Sequence, residues 1–170
     1  ALTPQILSLA MDGVIALNMK PEQNILLLKE LMALPHNSES SLNKLLLFMQ
    51  INNFSISDLD KYILEILSHS RATDSVYHTV ARSIGSFKQK IENVDIIFNT
   101  LLNVKSCEES VLMNIASSIG GTRYEIKNVS DIFFKILSCN NKNKSLINNL
   151  KYALNYYKFQ IEKKEELQRI

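Results

Sequence analysis

Apolar positions along the chain recur at helical spacing and are broken at intervals by short polar stretches. Ile6, Leu9, Ala10, Gly13, Val14 and Leu17 mark a first helix behind Leu2-Thr3-Pro4. There Thr3 can cap the helix, and Pro4 sits in the first turn, where its missing N–H costs nothing. Pro21 opens a second helix, with Ile25, Leu28, Leu31 and Met32 on its apolar face and Pro35 to stop it. The polar run at 36–40 reads as a connection. Leu42, Leu45, Leu46 and Met49 then make a third helix, and Leu59, Tyr62, Ile63, Ile66 and Leu67 a fourth, with Ser57 as cap and Asp60 in the capping-box position.

From residue 75 to 144 the pattern is stated twice. Residues 75–109 laid on 110–144 match at 12 of 35 positions: Ser75/Ser110, Val76/Val111, Ala81/Ala116, Ser83/Ser118, Ile84/Ile119, Gly85/Gly120, Ile91/Ile126, Asn93/Asn128, Val94/Val129, Ile97/Ile132, Phe98/Phe133 and Leu102/Leu137. The same offset carries Leu59 onto Val94, Asp60 onto Asp95 and Leu67 onto Leu102, so the repeat extends upstream. A fixed period of this size is the mark of stacked units, each of which buries its apolar face only against its neighbours. The expected helices are one from Thr73 or Asp74 to Gly85, a partner capped by Asn93 and running to about Val104, one opened by Ser106 with Glu109 and ending at Gly120-Gly121, and a partner from Asn128 over 129–137. Gly85, Gly120 and Gly121 are expected as helix stops in a left-handed conformation. Asn155 answers them in the last copy, so the final stripe of Leu146, Leu150, Leu154, Tyr157 and Ile161 should continue into the charged segment 162–166.

The expected fold is therefore all-α: a right-handed α-solenoid of antiparallel helix pairs, one domain over 1–170. Its approximate repeats are 3–37, 38–72, 73–107 and 108–142, with a terminal capping helix at 143–170. Residues 94–121, in which one helix is followed by a Val-x-x-x-Ile-Ala-x-x-Ile-Gly helix, resemble HEAT-like repeats. That resemblance implies a scaffold for protein partners. Residues Ile115-Ala116-Ser117-Ser118-Ile119-Gly120-Gly121 are similar to the DNA-binding repeats of TAL effectors, in which a short helix precedes two base-reading residues and a Gly-Gly turn. This second resemblance implies that Ser118 and Ile119, and Ser83 and Ile84 one repeat earlier, match the base-reading pair, with Arg123 and Lys88 near the phosphate-facing position. Against it, Ser86 stands where Gly121 would recur, and the final copy has no glycine.

Charge adds little. Residues 1–70 hold four Lys and seven acids, giving −3; residues 71–139 hold eight bases and seven acids, giving +1; residues 140–170 hold seven bases and three acids, giving +4. A nucleic-acid binder usually carries a stronger excess. No run approaches the roughly 18 apolar residues of a membrane span, and no cationic start leads into a signal-like apolar core. Cys107 and Cys139 fall at non-equivalent repeat positions and read as free thiols of a reducing compartment. His36, His69 and His78 form no metal-ligand spacing, and there is no phosphate-binding glycine loop or activated nucleophile. No cofactor, metal, catalytic residue or small-molecule substrate is expected, and the chain is read as non-enzymatic.

One constellation remains. The loops after the two glycine stops align as Phe87-Lys88-Gln89-Lys90 and Thr122-Arg123-Tyr124-Glu125, and stacked repeats set equivalent loops on one edge. Arg82, Phe87, Lys88, Lys90, Arg123, Tyr124 and Lys127 are thus the candidate partner-binding residues, since aromatic and arginine side chains supply most interface energy. In the alternative reading of the same loops, Phe87 and Tyr124 fold inward and the cations are solvated. The functional expectation is a binding module for a protein partner in the cytoplasm. The alternatives are a nucleic-acid binder using the basic edge, and a secreted bacterial effector acting by protein binding in a host cytosol. That last reading rests on a composition rich in Lys, Asn, Ile and Ser.

Overall fold

The computed structural model describes residues 3–15, 21–34, 37–52, 56–104, 108–122, 124–139 and 144–156. Among these residues every regular element is helical: α1 (Pro4–Ile15), α2 (Pro21–Met32), α3 (Glu39–Ile51), α4 (Leu59–Ser68), α5 (Asp74–Ser83), α6 (Val94–Val104), α7 (Glu109–Gly121), α8 (Val129–Ser138) and α9 (Lys144–Tyr156). A 3-10 turn, Ile84–Ser86, follows α5. The all-α expectation holds, with no strand among the described residues. The continuation of the last helix through Tyr157, Ile161 and 162–166 lies outside them, as do Pro35 and Ser106.

Two compact units divide the chain, residues 1–79 and 80–170, with the division falling inside α5. In the first unit α1 packs against α3, and α2 and α4 also touch α3. Met11, Leu28, Leu42, Leu45, Leu46, Phe48, Met49, Ile63 and Ile66 fill its core. Fully burying one such side chain is worth about 1.5–3 kcal/mol, which is what holds short helices that would be marginal alone. Polar ties reinforce the packing. Lys44 pairs with Asp12 and donates to the Ser8 carbonyl at 2.8 Å, Thr73 donates to Glu39 at 2.6 Å, and Asn43 donates to Ser75 Oγ at 3.0 Å.

Helix ends are settled by different residues from those the sequence suggests. Thr3 does accept from the Ile6 N–H at 3.3 Å. The side chain that satisfies the end of α2 is Asn37, which donates to the carbonyls of Leu31 and Met32 at 3.0 and 3.1 Å and is itself buried. A capping box exists at Ser38 and Ser41. At α4 the cap residue is Asp58, not Ser57; it is left-handed, with φ 55°, and makes no side-chain cap bond. Asn128 repeats that geometry at the start of α8, with φ 54°. Asn and Asp tolerate this region better than other non-glycine residues.

In the second unit α7 lies along α9 and against the 3-10 turn, while α6 packs on α8 and α7. Phe98, Phe133, Ile97, Ile132, Leu101, Ile136, Ile115 and Ile119 are fully enclosed. No glycine here has positive φ, which corrects the expected left-handed stops. Gly120 and Gly121 are the last residues of α7, and Thr122 caps it in extended conformation. The glycines lie at close approaches instead: a Cβ on Gly120 would meet the Ala153 Cα at 3.3 Å, and one on Gly121 would meet the Gly85 carbonyl oxygen at 3.1 Å, both tighter than an ordinary contact. Cys139 is disulfide-bonded, contrary to the free-thiol expectation. The chain's other cysteine, Cys107, lies outside the described residues. Disulfides persist in oxidising surroundings, so the thiols lend no support to a reducing compartment.

Candidate functional site: the loop edge of the second unit

Two stretches of the second unit, 87–93 and 124–128, are flanked by ties between their neighbouring helix ends. At the first end the Gly121 backbone closes on Gly85. Ser118 Oγ also donates to the Ala81 carbonyl there and, at 3.3 Å, to that of Arg82. At the far end Asn128 Nδ2 donates to Asp95 Oδ2 at 3.1 Å. Asp95 is buried on the first turn of α6, and a buried carboxylate needs such a donor to offset its lost hydration. The left-handed backbone at Asn128 delivers its amide to the neighbouring pair.

What lies between the ties alternates inward and outward. Phe87 is 5% exposed, and Ile91 and Ile126 are likewise buried, so they anchor the two loops from beneath. Lys88, Lys90 and Lys127, set between these anchors, are exposed, and so is Arg82 at the end of α5. Tyr124 is half-buried. Arg123 lies outside the described residues. Of the seven candidate residues, three therefore stand as exposed cations in these loops and Arg82 is exposed on α5, while Phe87 serves the interior and offers a partner no aromatic anchor. The inward reading of Phe87 is the one found.

The edge is also less uniformly basic than the cations alone suggest. Lys90 is paired with Glu92 at 3.1 Å, and Glu125 is exposed beside Lys127. A shallow cavity of about 200 Å³ opens along residues 125–131, lined by Glu125, Lys127, Asn128 and Asp131 among others. A single stretch of chain builds it, with no convergence of side chains from separate elements. Among the described residues no three His, Cys, Asp or Glu side chains are grouped to hold a metal. No helix among them is long and apolar enough to cross a membrane.

The base-reading pair implied by the TAL-effector resemblance is placed where it cannot read anything. Ser83, Ile84, Ser118 and Ile119 are all buried, at 3% exposure or less. The Ser118 hydroxyl is spent on the helix-end carbonyls of the preceding pair, and Ile84 and Ile119 are core.

Asp95 and Asn128, which set the edge's geometry, are absent from the sequence-based candidates. The identity of Asn93 with Asn128 at the repeat offset is the signal that could have pointed to them, but it was spent on helix capping. No family model matches the chain, and no curated protein or solved structure matches it either.

Proposed function

We propose that the chain is a helical-repeat binding module for a protein partner, with no chemistry of its own. In this reading each unit is built from antiparallel helix pairs of solenoid type with a period of 35 residues, as in HEAT-like repeats. The observation that carries the reading is the recurrence of surroundings at that period. Helices α1, α3, α5, α7 and α9 begin at Pro4, Glu39, Asp74, Glu109 and Lys144, each 35 residues after the last. Val76, Val111 and Leu146 are buried in turn, as are Val80, Ile115 and Leu150, and Ile84, Ile119 and Leu154. The second helices agree: Leu59, Val94 and Val129 are buried, then Ile63, Phe98 and Phe133, then Leu67, Leu102 and Leu137.

The outward positions behave differently. Leu47, Arg82, Ser117 and Tyr152 occupy one repeat position and are all exposed, yet no two share a chemistry. A constant inner lattice with a varied outer position suits a scaffold that addresses a partner through surface side chains, as helical repeats do.

The test is capture of a partner from nuclease-treated lysate, followed by binding of the purified pair. A protein retained after nuclease and bound one-to-one by the purified chain is the expected result. Loss of all retained material on nuclease treatment would favour a nucleic-acid ligand. Salt dependence alone does not separate the two kinds of ligand, because Phe87 is inside and the exposed loop residues carry both cations and acids.

A further inference from the structure

We propose that the open side of α1 pairs with the same side of a second copy of the chain, a contact separate from the capture of any other protein. The residues concerned are Ile6, Leu9, Ala10 and Gly13, which share one side of the helix at i, i+3, i+4 and i+7. All four are exposed, Ile6 at 53% and Leu9 at 70%, and an added Cβ on Gly13 would meet nothing within 4 Å. The residues that answer Ile6, Ala10 and Gly13 in later helices are covered. They are Ser41, Leu45 and Phe48 in α3 and Val111, Ile115 and Ser118 in α7, each 3% exposed or less.

In each case a neighbouring helix of the same kind, or its end, supplies the cover. Helix α3 turns this side to α1: Lys44, which answers Leu9, donates to the Ser8 carbonyl at 2.8 Å and pairs with Asp12. Helix α7 turns it to the end of α5, where Ser118 donates to the Ala81 carbonyl. Helix α9 turns it to α7, where Ala153, which answers Gly13, lies against Gly120. On α1 the same side stands open and is apolar.

The chemistry of the stripe selects its occupant. It carries no charge, so a copy of itself meets no repulsion. Across a two-fold axis the large Ile6 and Leu9 of each copy can lie against the small Ala10 and Gly13 of the other, as ridges fit grooves between packed helices. Beside Leu9 an open groove of about 620 Å³ between α1 and the start of α3 leaves further room. The competing arrangement sets α9 of one copy on α1 of the next. The side of α7 that meets α9 runs through Met113, Ala116 and Gly120, whereas α9 holds Asn148, Lys151 and Asn155 at those places, all exposed. Lys151 would lose its water on a stripe that holds no carboxylate, which disfavours head-to-tail growth. Helix α1 is about 18 Å long, so four side chains cover well under the roughly 800 Å² per partner of a standard interface. The dimer is accordingly weak, with a Kd of about 10 μM to 1 mM.

The experiment is sedimentation velocity on the whole chain from about 5 μM to about 1 mM, a range that brackets that Kd. A monomer–dimer equilibrium that persists in about 0.5 M salt is expected, because an apolar contact is not screened. Leu9→Glu should weaken it by about tenfold or more, and Leu26→Glu, at a leucine 59% exposed on α2, by less than about twofold. Circular dichroism identifies any variant that has lost its fold, in which case Ile6→Gln carries the comparison. A single monomeric species at every concentration, a dimer that Leu9→Glu leaves intact, or assembly that continues past the dimer would overturn the proposal. A monomeric chain that still holds a captured protein partner overturns the α1 pairing alone and leaves the binding-module reading in place.

Discussion

A Cβ built on Gly85 would stand 2.8 Å from the Cα of Ser118 and 2.9 Å from its carbonyl oxygen. The neighbour is backbone and cannot swing aside. Two repeat-equivalent stretches therefore touch main chain to main chain, and the glycine is needed for distance alone.

Gly85→Ala should destabilise the protein by about 1–3 kcal/mol or more, the range for overpacked sites, although alanine is ordinarily the better helix former. Gly13→Ala, at a position where an added Cβ meets nothing within 4 Å, should be neutral or stabilising. Urea denaturation of the two variants checks the contrast.

Ser118→Ala removes the hydroxyl that Ala81 and Arg82 carbonyls share and leaves buried acceptors short of a donor, at a cost of about 1–3 kcal/mol. Ala153 holds the corresponding position in α9, so the substitution introduces no steric conflict in itself. The loss should appear as a lower denaturation midpoint with an unchanged slope.

Asp95 and Asn128 should be energetically coupled. Asp95→Ala and Asn128→Ala each break the tie between the loops, and a double-mutant cycle should return about 0.5–1.5 kcal/mol between them. Asn128→Gly keeps the left-handed backbone but loses the amide, whereas Asn128→Val loses the amide and is strained by about 1–2 kcal/mol more. The order Asn, Gly, Val in thermal stability is the measured quantity.

Burial raises the Tyr62 phenol above its ordinary value of 10.0, and the nearby Asp58 and Glu65 carboxylates push the same way. The folded state thus favours the neutral phenol. Its contribution is complete below the unfolded-state value and is lost as pH climbs through the folded-state value, so stability should decline above about pH 10. Tyr62→Phe should flatten that decline, and Tyr62 should ionise late in an ultraviolet absorbance titration.

Helix content is legible because it rests on apolar spacing, which survives without knowledge of contacts. Ile97 with Ile132 and Phe98 with Phe133 are identical in sequence and equally enclosed. Glycine was legible only in part: a helix-end glycine serves left-handed geometry or close approach, and a string of residues holds no distance with which to choose. Asn37, Asp60 and Asp95 look like solvent-facing polar residues, yet all three are buried. Asn37 is tolerable there because its amide donates to the Leu31 and Met32 carbonyls, and Asp95 because Asn128, 33 positions away, donates to it. Phe87 beside Lys88 read as a surface anchor because a loop lacks the periodicity that assigns a face. The Cys139 disulfide is not legible in the sequence because pairing depends on approach in space.

The central claim is that the second unit is a stack whose members bury their apolar faces only against neighbours. Inserting a second copy of residues 75–109 between Glu109 and Ser110 tests it most directly, because such a stack admits one more member and a closed core does not. Ellipticity per residue should be unchanged, and unfolding should remain a single transition with a urea midpoint no lower than the parent's. A drop in ellipticity per residue matching an unfolded insert, or loss of the cooperative transition, would contradict the account.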